Sequence, residues 1–307
     1  MIAIAATIAA AVAAGVAAER RFGERARSAS RVMLVAALYT LSPFVTFFNV
    51  AHLHVTVDVG GGLALAYVVL ATAGFAAWFA GRRLLALSRP ETGSLMGSVM
   101  QANTGYLGLP LVIALLGSSH LGTAVAYDAL VTNPVLFLGV FGVGAAFGSE
   151  AGEGMRERLR AFILRNPPLF AAVAGLAAPA ALAPDALVDI SRVAVLAFAP
   201  LGFFAVGVTL AAEAEEGSIP FPPPLTRPVL AAVLIRLVLA PALLLVLGAA
   251  LIDLPDTYLL MAAMPTGINT IVVAHVYGLD LRIAAGAIAW STAIVIAAGV
   301  VVTAFAG

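Results

Sequence analysis

The sequence predicts an all-α polytopic membrane protein: ten transmembrane helices, arranged as two inverted five-helix repeats, with helices 4 and 9 discontinuous and crossing. Three observations carry this prediction. Of 307 residues, 62% are hydrophobic and 10% charged, with a mean hydropathy of +1.07, more apolar surface than a soluble core can hide. Residue pairs recur between the two halves at a nearly constant offset of 160–162. Two of the apolar segments also contain turn-forming sequence at corresponding places.

The apolar segments fall at about 2–18, 32–50, 60–80, 94–116, 121–147, 167–183, 190–211, 228–250, 257–277 and 283–305. At roughly 1.5 Å per residue, even the shortest nearly crosses a hydrocarbon core of about 30 Å. The first lacks a basic leading region, and its arginines follow the apolar run, so it reads as a span and not as a signal peptide. The chain has no cysteine, which excludes disulfides, thiolate metal sites and cysteine nucleophiles.

All sixteen Lys+Arg residues are arginine. Arg20, Arg21, Arg25, Arg27 and Arg31 follow span 1, Arg82, Arg83 and Arg89 follow span 3, and Arg156, Arg158, Arg160 and Arg165 follow span 5. The intervening loops 51–59, 117–120 and 252–256 carry none. The positive-inside rule makes the odd-numbered loops cytoplasmic and places both termini outside. Arg227 and Arg282 add weak support from the second half, and Arg192 dissents. The halves 1–147 and 167–307 are joined by a cytoplasmic linker, 148–166, and the acidic, proline-rich stretch 213–224 reads as a short extended connection.

Ser30-Arg31-Val32 recurs as Ser191-Arg192-Val193, and Thr104-Gly105 as Thr266-Gly267. From span 5 to span 10, Leu121, Ala124, Ala129, Thr132, Val135, Gly139 and Val140 recur as Leu281, Ala284, Ala289, Thr292, Val295, Gly299 and Val300. Five spans is an odd number, so the second copy must lie inverted in the membrane.

The interruptions are Asn103-Thr104-Gly105-Tyr106-Leu107-Gly108-Leu109-Pro110 in span 4 and Met264-Pro265-Thr266-Gly267-Ile268-Asn269 in span 9. Glycine and proline loosen or remove helix hydrogen bonds, and hydrocarbon offers no water to the freed groups. Either the two are packing kinks, or they cross near the midplane. In the second case their half-helix N-termini, with free N–H groups and partial positive charge, attract a carboxylate.

These residues, with Asn133-Pro134 in span 5 and the run from Met264 through His275 to Asp280, resemble the span 4 and span 9 signatures of the auxin efflux carrier family. This resemblance implies a fold of the type shared with bile acid transporters. The resemblance implies a scaffold of helices 1, 2, 6 and 7, a moving transport domain of helices 3–5 and 8–10, a homodimer, and organic anions as substrates, auxin-like or dicarboxylate. A bacterial inner membrane is the expected location. It assigns substrate contact to Asn103 and Asn269, with Thr104 and Gly105 in the same break, Pro110 opening the second half-helix, Pro265 in the analogous place, and Asn133 facing the same cavity. The long hydrophilic loop of many plant members is absent.

An Asn amide can donate to a carboxylate without a charge that holds it too tightly. For Asn133 a helix–helix hydrogen bond is an equal alternative. Tyr39 and Ser42, three apart, could line the scaffold side. Asp128 is a candidate proton or cation site and His275 a candidate titrating group, against structural roles for both. Arg236 is expected to snorkel to the cytoplasmic interface. No cofactor and no metal are called for, beyond a coupling proton or sodium ion. The chain lacks HExxH, GxSxG, Walker A and metal-ligand clusters, so an enzyme is not expected. The expected function is therefore a secondary active or uniport carrier of small organic anions working by elevator-type alternating access. The alternatives are a sodium- or proton-coupled symporter of the bile acid type, or a non-transporting receptor using the same site.

Overall fold

A computed structural model describes residues 2–53, 56–149, 167–215 and 223–306. Most of the expected linker 148–166, and much of the proline-rich stretch 213–224, lie outside these residues. Within them every regular element is helical. In chain order these are α1 (Ile2–Phe22), α2 (Glu24–Val50), α3 (Val57–Leu84), α4 (Arg89–Met100), α5 (Thr104–Leu115), α6 (Ser118–Phe147), α7 (Pro167–Ala177), α8 (Asp185–Ala212), α9 (Arg227–Leu251), α10 (Asp256–Ala262), α11 (Asn269–Tyr277) and α12 (Leu281–Ala306). Among the described residues six, α2, α3, α6, α8, α9 and α12, are long and apolar enough to cross a membrane. The chain is thus an integral membrane protein built of helices.

Helix ends follow local chemistry. The Thr56 hydroxyl accepts the Val59 N–H at the start of α3. Ser88 and Glu91 cap α4 reciprocally: the Ser88 N–H donates to Glu91 Oε2 at 2.8 Å, and the Glu91 N–H to Ser88 Oγ at 3.4 Å. These bonds hold the Glu91 carboxyl below its ordinary range. Pro167 and Pro168 open α7, where their missing N–H groups cost nothing. The span expected at 167–183 stops at Ala177, and a separate short turn, Ala180–Leu182, follows Pro179.

Packing sorts the helices into two groups. In the first, α1 lies along α8, and α2 packs against α7 and α8. The α1–α8 contact is backbone to backbone: a Cβ on Gly207 would fall 2.2 Å from the Val12 carbonyl oxygen, so only glycine fits there. In the second group α4 packs on α3, α6, α9, α11 and α12, with α9 also against α3 and α12. The groups meet where α2 touches the start of α6 and where α8 touches the start of α5. Tyr106 seats over Gly202 at the second contact, edge-on to Phe198.

The segments 94–116 and 257–277 are each divided, α4 from α5 and α10 from α11. Among the described residues six wide turns with i→i+5 bonding also occur within or at the ends of these helices, at Ala37–Leu41, Ala80–Leu84, Thr104–Gly108, Asp128–Thr132, Val135–Val140 and Ile235–Leu239.

Candidate functional site

The two breaks satisfy each other. Asn103 N–H donates to the Pro265 carbonyl at 2.7 Å and Gly267 N–H to the Gln101 carbonyl at 2.8 Å, so Ala102 and Thr266 pair as a minimal antiparallel bridge. A Cβ on Gly267 would lie 2.9 Å from the Ala102 carbonyl oxygen. Side chains cannot intrude between backbones this close, which explains the glycine. Unwound chain at this depth needs such pairing, because an unpaired buried N–H or C=O has no water to turn to.

The C-terminal ends of α4 and α10 converge on Arg236, which is 0% exposed. Its Nη1 donates to the Val99 carbonyl at 3.1 Å, Nη2 to Ala262 at 2.5 Å and Nε to Met264 at 2.9 Å. The expectation that Arg236 snorkels is overturned. Two helices ending inside the protein leave several carbonyls unpaired, and one guanidinium with five N–H donors satisfies three of them while balancing both negative helix ends. Counting those carbonyls could have found its role: the arginine stands within an apolar helix, α9, packed against α4.

The N-terminal ends of α5 and α11 open on the other side, into a cleft between the two helix groups enclosing about 690 Å³ with its open mouth included. The size suits a small molecule. Asn103, Gly105, Asp128, Asn133 and Asn269 line it from one group, and Ser42, Thr46, Pro168 and Phe198 from the other. Three of the wide turns, at 37–41, 104–108 and 128–132, contribute lining residues.

Asn103 is 3% exposed and its Nδ2 finds no partner; the buried Gln101 Oε1 and Thr132 Oγ1, also from lining residues, are likewise unsatisfied among the described residues. Such groups normally find bonds, so three in one cleft mark a place where something else supplies them. Asn133 and Asn269 are partly exposed there. Thr104 is buried behind the lining and donates to Asp128 Oδ1 at 2.5 Å.

Some expected residues lie elsewhere. Tyr39 is 49% exposed and outside the cleft, although Ser42 lines it. The wide turn 37–41 adds a residue to the helical turn and so breaks the shared face expected of an i, i+3 pair. Pro110 is buried and outside the cleft lining; it stands in the first turn of the α-helical part of α5, Leu109–Leu115, which follows the wide turn Thr104–Gly108. Pro265 is also buried and serves through its carbonyl. His275 is exposed on α11, away from the cleft. Among the described residues no cluster of His, Asp or Glu could hold a metal ion.

The sequence profile of a family described as membrane transport protein matches residues 159–303. That segment holds α11 and the break before it. Over that segment, just under half of its length, the chain is similar to this membrane transport family. An uncharacterized transporter from Methanocaldococcus jannaschii is 23% identical over 224 residues, covering 70% of this chain and 68% of the relative. Both likenesses are to membrane transporters.

Proposed function

We propose that this chain is a secondary active or uniport carrier that moves small organic anions, carboxylates of auxin-like or dicarboxylate type, across the membrane by elevator-type alternating access. The observation that carries the reading is the cleft: two half-helix N-termini and the unpartnered Asn103 amide converge on it, at the boundary between two helix groups. The helix ends supply partial positive charge and Asn103 a donor, with no basic side chain among the described residues of the lining to trap the anion. In this reading α1, α2, α7 and α8 form the scaffold, and α3–α6 with α9–α12 the transport domain. Counting each broken pair as one span gives ten spans in two inverted repeats. Both termini lie outside a bacterial inner membrane, and a second copy docks on the scaffold.

A cation-coupled symporter is the second reading, and it is favoured by Asp128, a carboxylate in the same cleft. His275, outside the cleft, is the weaker coupling candidate.

Binding to purified full-length protein tests the site. With radiolabelled indole-3-acetate and malonate as probes, Asn103→Ala should lower affinity about tenfold or more at unchanged melting temperature, as expected for one lost hydrogen bond to a charged ligand. Unchanged affinity removes Asn103 from the site. Saturable binding without counterflow in proteoliposomes supports a receptor and overturns the carrier.

A further inference from the structure

The crossing carries its own charge balance. Each half-helix end is worth roughly half an elementary charge. Arg236, at the two C-terminal ends, therefore offsets about one unit of negative charge, and the two N-terminal ends facing the cleft provide about one unit of positive charge. Asp128 already stands against that positive end. Its Oδ1 accepts the hydroxyl of Thr104, the first residue of α5, and a Cβ on the next residue, Gly105, would lie 3.5 Å from the same carboxylate. Among the described residues no basic side chain pairs with it. Among the described residues the other titratable group in the cleft lining is Tyr106, a neutral phenol across the same turn; the facing elements contribute Ser42, Thr46, Pro168 and Phe198, none of which titrates near neutrality.

We infer that Asp128 is a proton-binding site obligatorily coupled to the anion: it must take up one proton for a carboxylate to enter the cleft, so anion and proton bind together, one for one. This rests on the anion-carrier reading above. Two carboxylates several ångströms apart share a positive charge that balances one of them. With an effective dielectric constant of about 20, a second negative charge at roughly 6 Å lowers affinity on the order of 100-fold. Protonation removes that cost. A protonated Asp128 also changes from acceptor to donor, able to bond the incoming carboxylate itself or to release Thr104. The proton comes from solvent at the cleft mouth and leaves with the anion when the opposite face opens, so no covalent step is involved.

Calorimetry on the full chain tests this, with indole-3-acetate and benzoate as probes because both remain ionised across the range of about pH 6.5–8.5. Titrations in two buffers of different ionisation heat count the protons taken up. The expected result is about one proton per anion, with affinity falling by up to tenfold per pH unit on the alkaline side. Asp128→Asn should bind both probes with no proton uptake and no pH dependence. The wild-type proton count stands even if that variant folds poorly. Binding with zero proton uptake overturns the coupling and leaves the carrier reading intact. Affinity that rises with sodium at fixed pH, again without proton uptake, also overturns it and makes Asp128 a cation ligand. Absence of binding by either probe, or by any of a series of carboxylates from formate upward, takes down the carrier reading and this inference together.

Discussion

The two interruptions occupy matching places in the sequence, yet the structure ties them down differently. In the second, the Thr266 N–H donates to Ser291 Oγ at 3.0 Å, its hydroxyl donates to the Ser98 carbonyl at 2.8 Å, and the carbonyls of Ala262 and Met264 are held by Arg236. In the first, Thr104 turns its hydroxyl to a carboxylate, and the neighbouring Asn103 Nδ2 finds no partner among the described residues. The positions that supply polar chemistry to the first break are apolar at the repeat offset: Asp128 answers to Ile288 and Asn133 to Ala293. One break is an anchor and the other a reader. A site that must bind and release gains from this division, since the fixed half preserves the crossing while the open half changes partners.

Removing the anchor should have the largest effect. Arg236→Met leaves three buried carbonyls without donors and should cost about 3 kcal/mol or more, seen as a large drop in melting temperature in detergent. Arg236→Lys should recover part of it, because an ammonium reaches fewer of those carbonyls. A variant as stable as the parent would show that the crossing holds without its arginine.

Two glycines sharpen the contrast next. Gly267→Ala puts a Cβ 2.8 Å from Gln101 Cγ and 2.9 Å from the Ala102 oxygen and should cost about 1–3 kcal/mol by prising the crossing open. Gly105→Ala meets only ordinary contact, 3.5 Å from Asp128, and should change melting by less than about 1 kcal/mol while altering ligand affinity through the cleft it lines. Equal thermal penalties for the two would remove the distinction between anchor and reader.

The smallest effect is expected at a helix end that neither break uses. The Glu91 carboxyl is held below its ordinary value of 4.5 by Ser88, so its capping contribution is complete above that pH and fades as pH falls through the lower folded-state value. Glu91→Ala should cost about 0.5 kcal/mol at pH 7, and nothing in strong acid. Thermal melts of parent and variant that stay parallel from neutral to acid pH would contradict the reciprocal cap.

Much of this was legible in the residues. Membrane class followed from composition, and both breaks from Gly, Pro and Asn embedded in apolar sequence. Asn103, Gly105 and Asn269, singled out by the breaks, and Asn133, singled out by the resemblance, line one cleft. Tyr39 falls outside the cleft that Ser42 lines. A shared face for residues three apart requires α-helical turns, whereas the chain there winds in a wide i→i+5 turn whose occurrence depends on packing and leaves little trace in sequence. Arg236 was misread because hydropathy treats a lone arginine as a solvation cost, and its partners are backbone carbonyls more than a hundred residues away in the case of Val99.

The sequence by itself determined that this chain is helical, resides in a membrane, and breaks two of its segments at matching positions. These are local consequences of hydrophobicity and of residues that cannot sustain helix hydrogen bonds. The tertiary structure alone decided which freed backbone group meets which, that Arg236 closes the C-terminal side, and that Asp128 stands at the open end of α5. Those are long-range pairings, set when two distant segments compete to satisfy the same buried polar groups, and no local pattern specifies the outcome.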